Sequence, residues 1–192
     1  MKKNIVLCGV GGQGTVLAAK LLAALGMEAG NVVTSAETIG MAQRGGSVFS
    51  FVRIGDEIDT PMLGKGMADL IIAFEPAEAV RMLPYLKKGG TVIANTRPVI
   101  PVTASLRPES YNPAEILAYL KNNVENCRLV DAADCADALG NGKVLNIVLL
   151  GAAAACGALG FAPEAVETMI EKTVPAKFLE LNKKAFAAGQ KL

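Results

Sequence analysis

A chain of 192 residues and 19.9 kDa suits one domain and is cramped for two. Its 52% hydrophobic content excludes intrinsic disorder, and 19 basic against 18 acidic residues, with no Trp, leave neither a basic field nor a stacking platform for nucleic acid. His is absent, which removes the commonest general base, the commonest metal ligand and every Ser–His or Cys–His nucleophile pair.

Met1–Asn4 precede only six apolar residues, counting Gly9, too few for the core of a secretory leader, so none is expected. Ile5–Cys8 is a continuous apolar run ending at Gly9, the pattern of a central parallel strand. Gly9-x-Gly11-x-x-Gly14 then leads into a predicted helix over Thr15–Leu25, stopped by Gly26. Its polar groups are Thr15 and Lys20, so it must be buried around most of its circumference. Val32–Ser35 is predicted as the second strand, completing a strand–helix–strand unit. Glu37–Gly46 carries three glycines and reads as a loop, or a short helix between glycines. Ser47–Ile54 is β-rich, and Gly55-Asp56 followed by Glu57–Asp59 predicts a hairpin, an antiparallel excursion in a parallel architecture.

After Pro61 the alternation resumes. Leu70–Phe74 is a predicted strand, followed by a helix from Pro76 to Leu86 with Lys87 and Lys88 suiting its C-terminus, and then a strand over Thr91–Asn95. Four prolines between Pro98 and Pro113 mark a linker or rim segment. A helix over Pro113–Asn123, a short strand over Arg128–Asp131 and helices over Ala132–Leu139, Lys143–Leu159, Pro163–Lys172 and Ala176–Ala188 complete the chain. Val144–Leu159 is apolar but falls short of the roughly 20 residues of a bilayer span. It reads as a buried core helix, with Asn146 satisfying a buried backbone group. Cys8, Cys127, Cys135 and Cys156 lack CxxC spacing and read as buried free thiols in a reducing cytosol. Asp131, Asp134 and Asp137 beside a helix start read as solvated, with no metal assigned. The whole predicts one domain over residues 1–192: a Rossmann-like α/β fold with a mostly parallel sheet, helices on both faces, an antiparallel hairpin insert and a helical C-terminal part. The low charged fraction implies that another chain covers part of the apolar surface.

The glycine motif lies between a predicted strand and helix, the context that gives it meaning. Gly9 permits the tight turn, Gly11 close approach of a phosphate, and Gly14 packing of helix on strand, while first-turn amides face an anion. A tight turn with no ligand is the alternative. A dinucleotide fingerprint calls for an acid ending the second strand; Thr34-Ser35-Ala36 stand there and Glu37 lies a little late. No Ser-Tyr-x-x-x-Lys set is visible for hydride chemistry. Met41-Ala42-Gln43-Arg44-Gly45-Gly46 is the second notable segment. It follows a strand's carboxyl end, where open α/β sheets place their ligand crevice, and Arg44 offers donors suited to phosphate or carboxylate. The alternative is that Arg44 pairs with a surface acid such as Glu37.

GVGGQGTVLAAKLLA followed by TSAETIGMAQRGGSVFSFVRIG resembles the gamma subunit or domain of 2-oxoacid:ferredoxin oxidoreductases, and most closely the beta subunit of the indolepyruvate enzymes, over Asn4 to about Ala188. The resemblance implies a non-autonomous subunit of a cytoplasmic complex that decarboxylates a 2-oxoacid on thiamine diphosphate. Electrons pass through iron–sulfur clusters to ferredoxin, and an acyl-CoA forms. Thiamine and clusters belong to a large catalytic partner, and this chain is implicated where coenzyme A enters. On that resemblance Gly9, Gly11, Gly12, Gln13 and Gly14 form a phosphate-facing loop, Ser35, Glu37, Gln43, Arg44, Gly45 and Gly46 line its rim, and no catalytic side chain is assigned. The rivals are a stand-alone NAD(P)-dependent oxidoreductase and a structural module whose glycine loop is empty.

Overall fold

The computed structural model describes residues 2–101, 104 and 111–192. Six strands, β1 (Lys3–Val10), β2 (Val32–Glu37), β3 (Ser47–Gly55), β4 (Ala68–Ala73), β5 (Leu86–Asn95) and β6 (Asn126–Val130), form one sheet in the order β2-β3-β1-β4-β5-β6. β1, β4, β5 and β6 run parallel to their neighbours within that set. The helices are α1 (Thr15–Glu28), α2 (Pro76–Met82), α3 (Pro113–Asn123), α4 (Ala132–Ala138), α5 (Leu145–Ala155), α6 (Pro163–Thr173) and α7 (Ala176–Gly189).

The apolar run of β1 has to be continuous because both its faces are covered. Ile5 and Leu7, with Leu70, Ile72 and Ile93, join a core shared with α1, α4, α5, α6 and α7. Val6 and Cys8, with Ile71, Ala73, Val92 and Ala94, join a second core beneath α2 and α3. Helices therefore lie on both faces, as the sequence predicted. α5 is buried from Leu145 through Ala154, the core helix expected there. Among the described residues no helix is long and apolar enough to cross a membrane.

The antiparallel element differs from the predicted hairpin. Glu57–Asp59 forms no strand, since one apolar residue between two acids has little to offer either face of a sheet. β3 instead pairs with β1 from Lys3↔Ile54 to Val10↔Ser47, and with β2 from Val32↔Gly55 to Glu37↔Ser50. It thus lies between the two strands that α1 connects and splits the expected strand–helix–strand unit. Gly26 does not stop α1, which continues to Glu28; a Cβ at Gly26 would stand 2.8 Å from the Val33 side chain, so glycine serves packing there. The helix after Pro76 is also shorter than predicted. Pro84, which has no amide proton to give, lies in a 3₁₀ turn over Leu83–Tyr85, and Lys87 and Lys88 belong to β5. Of the proline-rich segment, residues 102–103 and 105–110 lie outside the described residues.

Asp134 and Asp137, read as solvated, both pair with Arg97, while Asp131 accepts from the Thr96 hydroxyl. The thiols are not all buried as expected: Cys8 is buried in β1, Cys127 and Cys135 are half-buried, and Cys156 is exposed because α5 leaves the core after Ala154. Cys156 shares a hollow with Lys3, Thr91 and Asn126 near the amino ends of β1, β5 and β6, the end of the sheet opposite the glycine turn.

Asn95 ties the carboxyl ends of the strands together. Its Nδ2 donates to the carbonyls of Phe74 (3.2 Å) and Arg97 (3.0 Å), and its Oδ1 accepts from the Ala133 amide (3.0 Å) in the first turn of α4. Asn95→Ala leaves these groups without their partner, two of the bonds being fully buried, and is expected to lower the unfolding free energy by about 2–4 kcal/mol. Urea denaturation checks this; an unchanged midpoint would mean that the groups find other partners.

Candidate functional site

The turn after β1 is built from its own side chains. Gln13 folds back so that its Oε1 accepts from the Val10 amide (2.7 Å) and its Nε2 donates to the Phe74 carbonyl at the end of β4 (3.1 Å). Gly9 is needed beneath it, because a Cβ there would stand 2.6 Å from Gln13 Oε1 and 2.8 Å from Phe74 Cβ. Gly14 caps α1 in the left-handed region, φ 88°, and no side chain caps that helix. Asn146 of α5 donates from Nδ2 to the Gly14 carbonyl at 3.4 Å, so it does satisfy a backbone group as expected. The first-turn amides of α1 have no carbonyl four residues back to bond, and no acid stands in that turn.

Gly11 admits something other than the approach foreseen for it. A Cβ at Gly11 would lie 2.4 Å from the Ala42 oxygen and from the Gln43 carbonyl carbon, so the close neighbour is the chain's own second glycine segment. The Gly11 amide donates to the Gly46 carbonyl at 2.8 Å. The segment between β2 and β3 is a loop around a 3₁₀ turn, Met41–Gln43, closed by Gln43 Nε2 donating to the Thr38 carbonyl (2.9 Å) and by the Thr38 hydroxyl pairing with both backbone groups of Phe49. The two motifs that the sequence singles out are therefore brought together.

Two cavities flank this contact. One, about 360 Å³, lies between Gly11, Gly12, Gly14 and Thr15 on one side and Thr38, Gln43, Val48 and Ser50 on the other. The second, about 480 Å³, opens past Gly45, Gly46 and Ser47 onto Glu75, Glu78, Arg81 and Tyr111. The first joins the start of α1 to apolar side chains, Val16, Val48 and Phe49; the second brings Glu75, Glu78 and Arg81 beside Val99 and Ile100. Of the remaining rim residues, Glu37 ends β2 directly across from Ser50, Ser35 is exposed opposite Val52, and neither lines the first cavity. Arg44 is exposed and makes no ion pair with Glu37 or with any other described residue.

The acidic cluster has no counterpart in the sequence reading. Glu75 and Glu78 are 2% and 4% exposed. Glu75 caps α2 by accepting from the Glu78 amide (2.9 Å) and also accepts from the Tyr111 hydroxyl; Glu78 pairs with Arg81 (2.7 Å) and accepts from Ser47 (2.5 Å). Burial, then the neighbouring Glu78 and Glu75, raises the Cys8 pKa, and burial with the Glu75 bond raises that of Tyr111, so both stay protonated. The Glu75-Pro76-Ala77-Glu78 helix start is legible as a cap, but nothing local marks the two acids as buried.

An open α/β sheet with a glycine turn after its first strand and a second glycine segment folded onto it defines a Rossmann-like module, and comparison with known proteins takes it further. The model of the family described as pyruvate ferredoxin/flavodoxin oxidoreductase matches residues 4–192, and the chain belongs to that family. Indolepyruvate oxidoreductase subunit IorB of Pyrococcus horikoshii is 40% identical over 190 residues, covering 98% of this chain and 94% of the relative. The crystal structure of the keto/oxoacid ferredoxin oxidoreductase gamma subunit from Geobacter sulfurreducens superposes with a TM-score of 0.71 at 25% identity, over 98% of this chain and 96% of that one. The same fold occurs in 2-oxoglutarate:ferredoxin oxidoreductase from Magnetococcus marinus, solved with 2-oxoglutarate, coenzyme A and succinyl-CoA bound; the TM-score is 0.71 at 19% identity, and the match spans 99% of this chain and 30% of that longer one. The resemblance carried by the two glycine segments is borne out: this chain is a subunit of a 2-oxoacid:ferredoxin oxidoreductase.

Gly11→Ala tests the junction between the segments. The added methyl meets backbone rather than a movable side chain, so a loss of about 1–3 kcal/mol is expected in urea or thermal unfolding. A variant as stable as the native chain would show that residues 42–46 shift without cost.

Proposed function

We propose that this chain is the non-catalytic subunit of a complex that oxidatively decarboxylates indolepyruvate and related aryl pyruvates to acyl-CoA, and that its cavity at the start of α1 takes phosphate of coenzyme A. The observation that carries the reading is the start of α1, with no side-chain cap, facing a cavity, in a chain 40% identical to a protein named as an indolepyruvate oxidoreductase subunit. Unbonded first-turn amides and the positive end of the helix dipole favour an anion there. Gly12, Gly14 and Thr15 supply backbone at the phosphate, with Gln43 on the opposite wall. Gly9 and Gln13 act beneath them by fixing the turn, and Gly11, Gly45 and Gly46 by docking the second segment. Exposed Arg44 and Ser35, with half-buried Glu37, would lie on the rim that the partner completes.

When bound, coenzyme A supplies the thiol that accepts the acyl group; the residues here bind and orient its phosphate. Thiamine diphosphate and the iron–sulfur clusters are assigned to a large partner subunit, with ferredoxin as acceptor. The residues of this chain do not fit the clusters: its four cysteines are dispersed over β1, β6, α4 and the end of α5, and among the described residues no group of three or more His, Cys, Asp or Glu is placed to hold a metal. The free thiols and the use of ferredoxin suit the cytoplasm. The NAD(P) rival is disfavoured by β3, which moves Glu37 to a strand about 10 Å from β1, twice the usual strand spacing.

Purified alone, the chain is expected to show no ferredoxin reduction with indolepyruvate and coenzyme A; isolated anaerobically from its own cell it is expected to co-elute with a thiamine- and cluster-bearing partner and to be active. Native mass spectrometry with a turnover assay decides it. Turnover by the chain alone, or a free monomer retaining NAD(P), would overturn the reading.

A further inference from the structure

We infer that Ser50 is a ligand-binding residue, its hydroxyl donating to an acceptor oxygen of the diphosphate-bearing ligand held at the start of α1; this rests on the coenzyme A reading above and adds a residue to that site. Ser50 is 1% exposed, in the middle of β3, between Leu7 of β1 and Glu37 of β2. Among the described residues its Oγ and that of Thr34 are the two buried side-chain polar atoms without a hydrogen-bond partner. Buried polar groups are rarely left so, and each one calls for a reason.

Thr34 and Ser50 are not equivalent. Strand alternation puts Thr34, paired with Arg53, on the face away from α1, and it lines neither cavity beside the glycine turn. Ser50 shares the α1 face with Val48, Val52 and Ile54 and stands in the wall of the 360 Å³ cavity, facing the segment that contains Gly12, Gly14 and Thr15. Its neighbours along that face, Val48 and Val52, carry no polar side-chain atom, and the carboxylate of Glu37, across from it on β2 and on the same face, makes no hydrogen bond to it. An apolar residue would pack there at no polar cost. A hydroxyl at this position gains by donating to something that enters the cavity, and the first-turn amides opposite select an anion. The volume is near the lower end of the 300–1,000 Å³ usual for ligand sites, so the cavity takes the phosphate-bearing part of the ligand while the remainder extends towards the partner.

The test uses the assembled complex carrying native chain, Ser50→Ala or Ser50→Cys, with coenzyme A as probe. Hydrogen exchange of the α1 first turn is measured with and without coenzyme A, alongside its Kd by calorimetry, the KM for coenzyme A and the melting temperature without ligand. An unpartnered hydroxyl predicts that both variants melt no lower than the native complex, bind coenzyme A about tenfold more weakly and raise its KM by a like factor, with kcat at saturation and the KM for indolepyruvate unchanged. Protection of α1 by coenzyme A together with equal affinity in the variants overturns the role of Ser50 alone. A lower melting temperature with unchanged affinity also overturns it, because the hydroxyl then has an internal partner. Absence of protection in the native complex overturns the coenzyme A reading and this inference together.

Discussion

Where Gly11 meets residues 42–46, two backbones touch with no room for a Cβ between them, and a single amide-to-carbonyl bond holds them in register. Everything near the candidate site depends on this contact. It folds the loop between β2 and β3 onto the turn after β1, so that β3 enters the sheet beside β1 along its full length. It also divides the space above the strand ends into two chambers, one at the start of α1 and one beside Glu75, Glu78 and Arg81 of the α2 side. A glycine here is thus fixed by the protein's own architecture before any ligand is considered.

The placement of β3 changes what a glycine-rich turn can do. In a doubly wound sheet the strand after the first crossover lies beside β1, and an acid at its end reaches the ribose of a dinucleotide. With β3 between them, β2 is displaced by one strand, while the helix N-terminus is still aimed at an anion. The fold keeps the part of the dinucleotide apparatus that recognises phosphate and loses the part that recognises the adjoining sugar. Such a module suits a phosphorylated ligand whose remaining groups are held by another polypeptide, in keeping with a chain that belongs to a family of oxidoreductase subunits.

Much of the architecture was legible because it follows from local periodicity. The β1 run, the helices over Pro113–Asn123 and Pro163–Thr173 and the buried α5 all announce themselves through apolar spacing, prolines at first turns or continuous hydrophobicity. The misplaced hairpin and the hidden polar groups share one physical origin. Gly55-Asp56 has the chemistry of a hairpin turn, but a strand also needs a face to bury, and Glu57–Asp59 has too little apolar surface for that. The true partners of β3 were residues up to about 50 positions away, which pattern alone cannot pair. The same limit hid the polar groups of the site: Glu75, Glu78 and Ser50 are ordinary surface types whose burial is set by the packing of distant elements. Gln13 shows the converse, a polar residue inside a motif whose side chain is wholly engaged in holding the motif's shape.

The depth of the cysteines has a practical corollary. Burial raises the pKa of Cys8, Cys127 and Cys135 and so suppresses the reactive thiolate, whereas Cys156 is exposed near the amino ends of the strands, remote from the glycine turn. A maleimide dye or surface linker supplied in limiting amount therefore attaches first at Cys156. The native sequence carries its own handle for oriented immobilisation, with both chambers facing away from the support.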